Sequence, residues 1–331
     1  MIQRPYVYMS NGVEELQKLM FSHLYEHPRG PDVKKLIILP DMSLKLMLSK
    51  YFAKSSAEGV VMGLDFCTLE QAITILQKIC FSKTLNFPSQ ELVTTQLEAY
   101  CQSPQEAKKL AAEFVKYGMF GGQFLKKWQD SYQKKLWNKV FSDWNYPYEL
   151  LDLKLTGPSQ KTEVYLFNFP FMAKLYHLFF LKISQAVTVK YYQFSPCLSF
   201  WSEELTDYEM TNLRKTLDHQ EYFSETPRLL RNFGRAGRET FKVFEEEDFH
   251  IEEHYLSIKA NSYLKAIQKE VLTLDYTEKK KDLSVQIISN SSKLREIEVL
   301  FKILVDSNIC QSQVQVFAPD ISIYAPLIQY V

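Results

Sequence analysis

His250-Ile-Glu-Glu-His254 has the spacing H-x-x-E-H. On a helix this sets two imidazoles one turn apart, where both can ligate zinc while Glu253 acts as base toward a bound water. The surroundings argue against that use. The motif follows the acidic run Glu245 to Asp248 in a poorly patterned stretch, and no distant glutamate is marked out as a third ligand. A solvated surface helix or loop is preferred to a metal hydrolase built on His250, Glu253 and His254.

A second set lies between Gln123 and Val140. A helix there carries Phe124, Trp128, Tyr132 and Leu136 at i, i+4 spacing beside Lys126, Lys127, Lys134 and Lys135. Rings stack on bases and lysines track phosphates, so the set suits single-stranded DNA. A stripe at that period is also what a helix buries. The preferred reading makes the rings core and the lysines its solvated flank, still able to face DNA.

ATP chemistry needs a glycine-rich loop that offers backbone N–H groups to phosphates, followed by Lys and Ser/Thr. No GxxxxGK[ST] occurs, and the turn after the strand Leu36 to Leu39 reads Pro40-Asp-Met-Ser-Leu-Lys45, without glycine. The strand Val164 to Phe167, where a carboxylate for Mg²⁺ would stand, leads into Asn168-Phe-Pro170. Nucleophile sites find no support either: G-x-S-x-G is absent, and Cys197 sits in Ser-Pro-Cys-Leu-Ser without a patterned base. No catalytic residue, metal or cofactor is assigned to this chain.

The elements that position these residues read as α/β. Tyr6 to Met9 is a strand, and Ser10/Asn11 opens a helix with Val13, Leu16, Met20 and Leu24 on one face. The strand Leu36 to Leu39, a helix after Asp41 and a short strand at Val60 and Val61 follow. Thr68-Leu-Glu-Gln71 then forms a capping box before the helix Ala72 to Cys80. From Ser89 to about Trp144 every signal is helical, with Ser103 as cap, Pro104 at N1 and Glu106 at N3. The α/β rhythm returns with Val164 to Phe167, a helix Phe171 to Leu181 and a strand Val187 to Phe194. Trp201 to Asp248 is charged and helical, with a basic turn at Asn232 to Arg238. A linker near Thr277 to Lys281 precedes a βαβ-like unit: strand Leu283 to Ile288, capped helix Lys293 to Val305, strand Val314 to Phe317, and a helix from Asp320.

Composition bounds the function. With 331 residues, 46% hydrophobic and 14% aromatic, the chain has material for one large core or two smaller ones. Lys plus Arg and Asp plus Glu both number 39, so binding to nucleic acid must come from a local patch. Five scattered cysteines without a CxxC pair read as reduced thiols, and the opening Met-Ile-Gln-Arg-Pro has no apolar h-region. The best apolar stretch, Phe169 to Ile183, contains Lys174, His177 and Lys182 and cannot span a bilayer. The expectation is a cytoplasmic protein without a membrane partner.

Several segments carry a family resemblance. Val7-Tyr-Met-Ser-Asn11 before an amphipathic helix resembles the start of the RecC family, the gamma subunit of exodeoxyribonuclease V. Ser195-Pro-Cys-Leu-Ser-Phe-Trp201 is similar to its Asn-Pro-Cys-x-Tyr-Tyr-Trp. Leu229-Leu-Arg-Asn-Phe-Gly-Arg-Ala-Gly-Arg-Glu239 is similar to its Leu-Leu-x-x-Trp-Gly-x-x-Gly-Arg-Asp. Leu264-Lys-Ala-Ile-Gln268, Leu283 to Ile288, Arg295-Glu-Ile-Glu-Val-Leu300 and Ala318 to Ile328 follow in the family's order.

The resemblance implies a superfamily 1 helicase-like, P-loop-NTPase-like parallel-sheet domain that lacks nucleotide motifs. That domain is formed by residues 1–85 and 161–276, with an all-helical insert at 86–160 and a second helicase-like domain, expected to be truncated, beginning at 282–331. It further implies a non-catalytic scaffold that guides DNA strands and scans single-stranded DNA for a recombination hotspot. RecB-like and RecD-like partners would use ATP and Mg²⁺ and share single- and double-stranded DNA with it. Expected DNA contacts are Asp41, Met42, Lys45 and Thr68 at strand ends, where α/β sheets place ligands, and Lys116, Tyr117, Lys126 and Lys127 on the insert. The chain departs from the family at Pro40 to Lys45, where the family turn is longer and rich in Gln, Ser and Thr. It departs again at Gly121-Gly122, where the family has Arg-Pro and hence a charge-assisted contact missing here. An assembly adaptor without DNA contact is the alternative from a different class.

Overall fold

The structure, a computed structural model, describes residues 4–25, 33–129, 131–199, 201, 206–210, 227–307, 309–310 and 313–330. Its organising element is a six-stranded sheet in the order β3-β2-β4-β5-β1-β6 with every neighbouring pair parallel. The strands are β1 (Tyr6–Ser10), β2 (Lys34–Leu39), β3 (Leu64–Thr68), β4 (Thr162–Phe167), β5 (Thr188–Phe194) and β6 (His250–Glu253). Their near-continuous apolar runs follow from burial on both faces, and all six residues of β4 are buried.

Side-chain alternation sorts the core into two layers. On one face, Tyr8, Ile37, Leu39, Tyr165, Phe167 and Tyr192 pack against Leu16, Met20 and Leu24 of α1 (Val13–Tyr25) and Leu48 and Phe52 of α2 (Ser43–Ser55). On the other, Val7, Met9, Leu36, Ile38, Val164, Leu166, Val189 and Tyr191 meet α3 (Leu69–Cys80), with Phe179 and Phe180 of α8 (Lys174–Ile183) alongside. The expected capping box opens α3: the Thr68 hydroxyl accepts from the Gln71 N–H, and the Gln71 side chain accepts from Thr68.

Between β3 and β4 the helical insert has a core of its own, built from Val93, Leu97, Ala107, Ala111, Phe114, Leu136, Trp137 and Val140. Its helices are α4 (Gln90–Glu98), α5 (Pro104–Phe120), α6 (Gly122–Lys127) and α7 (Tyr132–Val140). Beyond β5, α9 (Arg228–Phe233) and α10 (Arg235–Glu246) lead to β6, and α10 adds Phe241 and Phe244 to the second layer. The chain divides into two compact units, residues 1–259 with 265–278, and residues 260–264 with 279–331. Helix α11 (Tyr263–Thr273) runs through 265–273 of the first unit. The second contains α12 (Lys293–Asp306), capped by Ser292, and α13 (Ile321–Tyr330).

Several expectations fail for physical reasons. The strand expected at Val60 and Val61 forms at Leu64–Thr68 instead, because the register with β2 pairs Lys35 to Leu39 with Leu64 to Thr68 and leaves Val60 in an exposed loop. The strands expected at Leu283 to Ile288 and Val314 to Phe317 are absent. A strand needs a neighbouring ladder, and among the described residues neither segment has one, so Ile287 is 95% exposed and Phe317 86%. Among the described residues of the expected βαβ-like unit, the two helices form and the two strands do not. The helical reading of Trp201 to Asp248 is met at 228–246, while 202–205 and 211–226 lie outside the described residues.

Candidate nucleic-acid interface

In open α/β sheets ligands sit at the carboxyl ends of strands, where adjacent strands send their helices to opposite faces. Two of the places that meet this condition lie at interior strands of the sheet. One lies between β2, followed by α2, and β4, followed by α8; the other lies between β1, followed by α1, and β5, followed by α9 and α10.

The crevice between β1 and β5 is closed by the chain itself. Ser10 is fully buried, its Oγ accepts from the Gly12 N–H at 3.1 Å, and its carbonyl accepts from the Ser195 N–H at 2.9 Å. Asn11 Nδ2 donates to the Leu256 carbonyl at 2.9 Å, while its Oδ1 accepts from the Leu256 N–H at 2.7 Å. A Cβ on Gly12 would stand 3.1 Å from Leu256 Cδ1. The amide of Asn11 and the N–H of Gly12, which a phosphate would need, are thus engaged within the protein. Only the strand order identifies β1 as the interior strand beside the other crossover.

At the crevice between β2 and β4, Asp41 accepts from the Ser43 N–H at 2.6 Å, a bond that holds its carboxyl below the usual range. Asp41, Met42 and Lys45 are exposed there, with the Lys45 ammonium 5.8 Å from the centre of the Phe66 ring. Thr68 is nearby in the register, opposite Leu39, but its hydroxyl and N–H serve the capping box. Asn168, at the exit of β4, adopts φ 50°. Its N–H donates to the Tyr192 carbonyl at 2.7 Å and its Oδ1 accepts from Phe194 at 3.4 Å, tying β4 to β5.

The other expected contacts form a second group on the insert. Lys116 is exposed and paired with Glu113 at 2.8 Å. Tyr117 is half-buried, its ring edge-on to Trp128 at 5.6 Å, which makes it a flank of the insert core. Lys127 is exposed, and the side chain of Lys126 lies outside the described residues. The single helix expected from Gln123 to Val140 is broken. Gly122 at φ 45° starts α6, Trp128 is extended, and Ser131 caps α7 through the Lys134 N–H at 3.2 Å. The break turns the expected stripe apart: Phe124 and Tyr132 are exposed, whereas Leu136, Trp137 and Val140 are buried. Trp137, Phe141 and Tyr146, which the i, i+4 count passed over, complete the aromatic cluster, at 4.1 Å between the Trp137 and Phe141 centroids and 5.4 Å between Trp137 and Tyr146.

The H-x-x-E-H segment is neither helix nor loop but the edge strand β6, with His250 N–H donating to the Pro5 carbonyl and His254 N–H to the Met9 carbonyl. Strand alternation puts His250, Glu252 and His254 on one face, against Tyr6 and Tyr8, and Glu253 on the other. Backbone positions four residues apart on a strand are about 13 Å apart, too far for both imidazoles to reach one ion beside a catalytic Glu253. Among the described residues no group of three His, Cys, Asp or Glu side chains is placed to hold a metal.

The two most specific sequence segments meet each other. Trp201 is buried against Gly234 and Gly237, where a Cβ on Gly237 would stand 3.0 Å from the indole Cη2. Arg238, also buried, makes two bonds of 3.1 Å to the Glu209 carboxylate, which these bonds and the Thr206 N–H hold down to a pKa of about 2. Arg231 pairs with Asp207 at 3.1 Å. The basic turn is therefore largely neutralised by its own chain. Cys197 is a buried thiol whose carbonyl accepts from Ser195 Oγ at 2.9 Å, and burial pushes Cys67 up to about 12 and Cys80 to about 11.

Among the described residues no helix is long and apolar enough to cross a membrane. A family model described as RecC, N-terminal domain, matches residues 94–274, more than half of the chain. No curated protein matches the sequence.

Proposed function

This chain belongs to the RecC family, subunits of the multisubunit exodeoxyribonuclease V (RecBCD) of recombination repair, and from that premise we propose that it is a non-catalytic scaffold that guides DNA strands. The observation that carries the silent half of this reading is the closure of the β1–α1 turn by Asn11, Gly12 and Leu256, in a sheet whose topology suits a nucleotide. ATP and Mg²⁺ belong, on this reading, to RecB-like and RecD-like partners in the cytoplasm. The sheet domain of 1–85 and 161–276 is helicase-like, 86–160 is its insert, and 282–331 opens a second domain of that kind.

The guiding half rests on the insert. The segment 122–142 carries Lys126, Lys127, Lys134, Lys135 and Lys139 against Asp130, in a chain of zero net charge. Such a patch attracts phosphates without a field over the whole molecule. Reading of a hotspot sequence, which the family resemblance implies, would fall to exposed Asp41, Met42 and Lys45 rather than to Thr68, whose polar atoms serve the cap. The test is binding of labelled single-stranded DNA at several salt concentrations, beside a Lys126→Ala/Lys127→Ala variant. Affinity should fall with salt, and the variant should bind more weakly with a shallower salt slope. No binding at low salt would sink strand guiding by this chain and favour the assembly adaptor.

A further inference from the structure

We propose that Asn11 is a deamidation site held shut by its hydrogen bonds to Leu256, and that loss of its amide unlocks the segment that follows β6. Asn11-Gly12 is the one Asn-Gly pair in the sequence. Spontaneous deamidation begins when the backbone nitrogen of the next residue attacks the asparagine side-chain carbonyl carbon, and glycine, having no Cβ, hinders that approach least. The fold itself calls for this labile pair. A Cβ on Gly12 would stand 3.1 Å from Leu256 Cδ1, so the close approach of Leu256 favours glycine. At position 11 a side-chain amide supplies both the donor for the Leu256 carbonyl and the acceptor for the Leu256 N–H.

The folded geometry opposes each part of the reaction. The nucleophile, the Gly12 nitrogen, must give up a proton that it donates to the Oγ of buried Ser10 at 3.1 Å. The electrophile, Asn11 Cγ, is pinned through both atoms of its amide at 2.9 and 2.7 Å, so it cannot turn toward that nitrogen without breaking both bonds. The Gly12 carbonyl is held as well, accepting from the Leu16 N–H at 3.2 Å at the start of α1. When these contacts open locally, the Gly12 nitrogen bonds to Asn11 Cγ, its proton passes through solvent, and the side-chain nitrogen leaves as ammonia, forming a succinimide ring. Water then opens the ring at either carbonyl to give aspartate or isoaspartate. The net change is one water consumed and one ammonia released.

The product cannot rebuild the lock. A carboxylate only accepts, so one oxygen can keep the Leu256 N–H while the other faces the Leu256 carbonyl oxygen, where Nδ2 had stood at 2.9 Å, and two acceptors repel. Isoaspartate also adds a methylene to the backbone between β1 and α1. The N-terminus of α1 favours a carboxylate through its dipole, but that gain acts on the helix and not on Leu256. The segment 254–259, the last of the first unit before the chain leaves it at Ala260, thus loses its tie to the side chain at position 11.

The test incubates the full chain at mildly alkaline pH, folded and in urea, and follows Asn11 by mass spectrometry of its proteolytic peptide. Aspartate and isoaspartate should both appear, at least about tenfold more slowly in the folded chain, the protection that two hydrogen bonds provide. Asn11→Asp should speed amide exchange of the peptide containing Leu256 by about tenfold, with exchange in β4 unchanged. Equal rates in the folded chain and in urea would overturn the gate. Absence of conversion in urea would overturn the site. Exchange at Leu256 that is the same in Asn11→Asp and wild type would overturn the unlocking.

Discussion

The indole of Trp201 and the Leu230 carbonyl oxygen together fill the space beside Gly234 that a side chain at that position would need, and a Cβ on Gly237 would come within 3.0 Å of the same ring. Both glycines have ordinary helical or near-helical backbone, so the requirement is for room and not for an unusual φ. Gly234→Ala should therefore destabilise the fold by about 1–3 kcal/mol through overpacking, read as a lower urea midpoint at unchanged m. Trp201→Leu in the same chain should recover part of that loss. Additive effects in the double mutant would show that the contact is not the cause.

Arg238 and Glu209 predict an acid-sensitive joint beside that contact. The Glu209 carboxyl is held down to about 2, chiefly by the Arg238 guanidinium, against an ordinary value near 4.5. A depressed carboxylate contributes stability above its unfolded pKa and loses it as pH falls through the folded one, so the contribution should fade between about pH 4.5 and 2. Glu209→Gln should remove that component and, since it takes two charge-assisted bonds from the buried Arg238 and leaves it the Glu239 carboxylate at 3.2 Å, cost on the order of 1–3 kcal/mol at neutral pH. Melting temperatures of wild type and variant that stay parallel from pH 6 to pH 3 would contradict it.

Asn11 tests the silent crevice. Its two hydrogen bonds to the Leu256 backbone lie in an exposed setting, so Asn11→Ala should cost only about 1 kcal/mol. Neither wild type nor variant should show saturable binding of a fluorescent ATP analogue with Mg²⁺, because the Gly12 N–H stays with Ser10 and Leu256 still stands over Gly12. Saturable binding by the wild type would refute the nucleotide-silent reading.

What the sequence made legible follows from how local each signal is. The capping boxes and caps at Thr68, Ser103 and Ser292 bond within one turn and were readable, as were β2 and β4, whose apolar runs exceed what an exposed strand carries. Features decided by distant partners were not. His250 to Glu253 is a strand because β1 offers it an edge, and Leu283 to Ile288 is not one because no described strand does. The aromatic period from Phe124 to Leu136 was real, yet the helix breaks at Trp128, and the rings that complete the aromatic cluster come from Trp137, Phe141 and Tyr146. The acidic partner of Arg238 stands 29 residues away, a pairing that no local spacing announces.

His177 should make the whole sheet domain sensitive to mild acid. The imidazole is fully buried in α8, stacked on Tyr191 at 5.8 Å and edge-on to Phe244 at 5.2 Å, with the Met172 backbone as the polar group beside it. Burial pushes its pKa down to about 3, so the folded chain holds it neutral while the unfolded chain takes up a proton below about pH 6.5. Between those values the unfolded state binds more protons, and stability should decline as pH falls, by up to about 1.4 kcal/mol per pH unit from this group, with no contribution above pH 7. His177→Phe keeps an aromatic ring between Tyr191 and Phe244 and removes the titration. Urea midpoints measured from pH 7.5 to pH 4.5 should fall more steeply for wild type than for the variant, and equal slopes would mean that the proton is accommodated without unfolding the core around Tyr191.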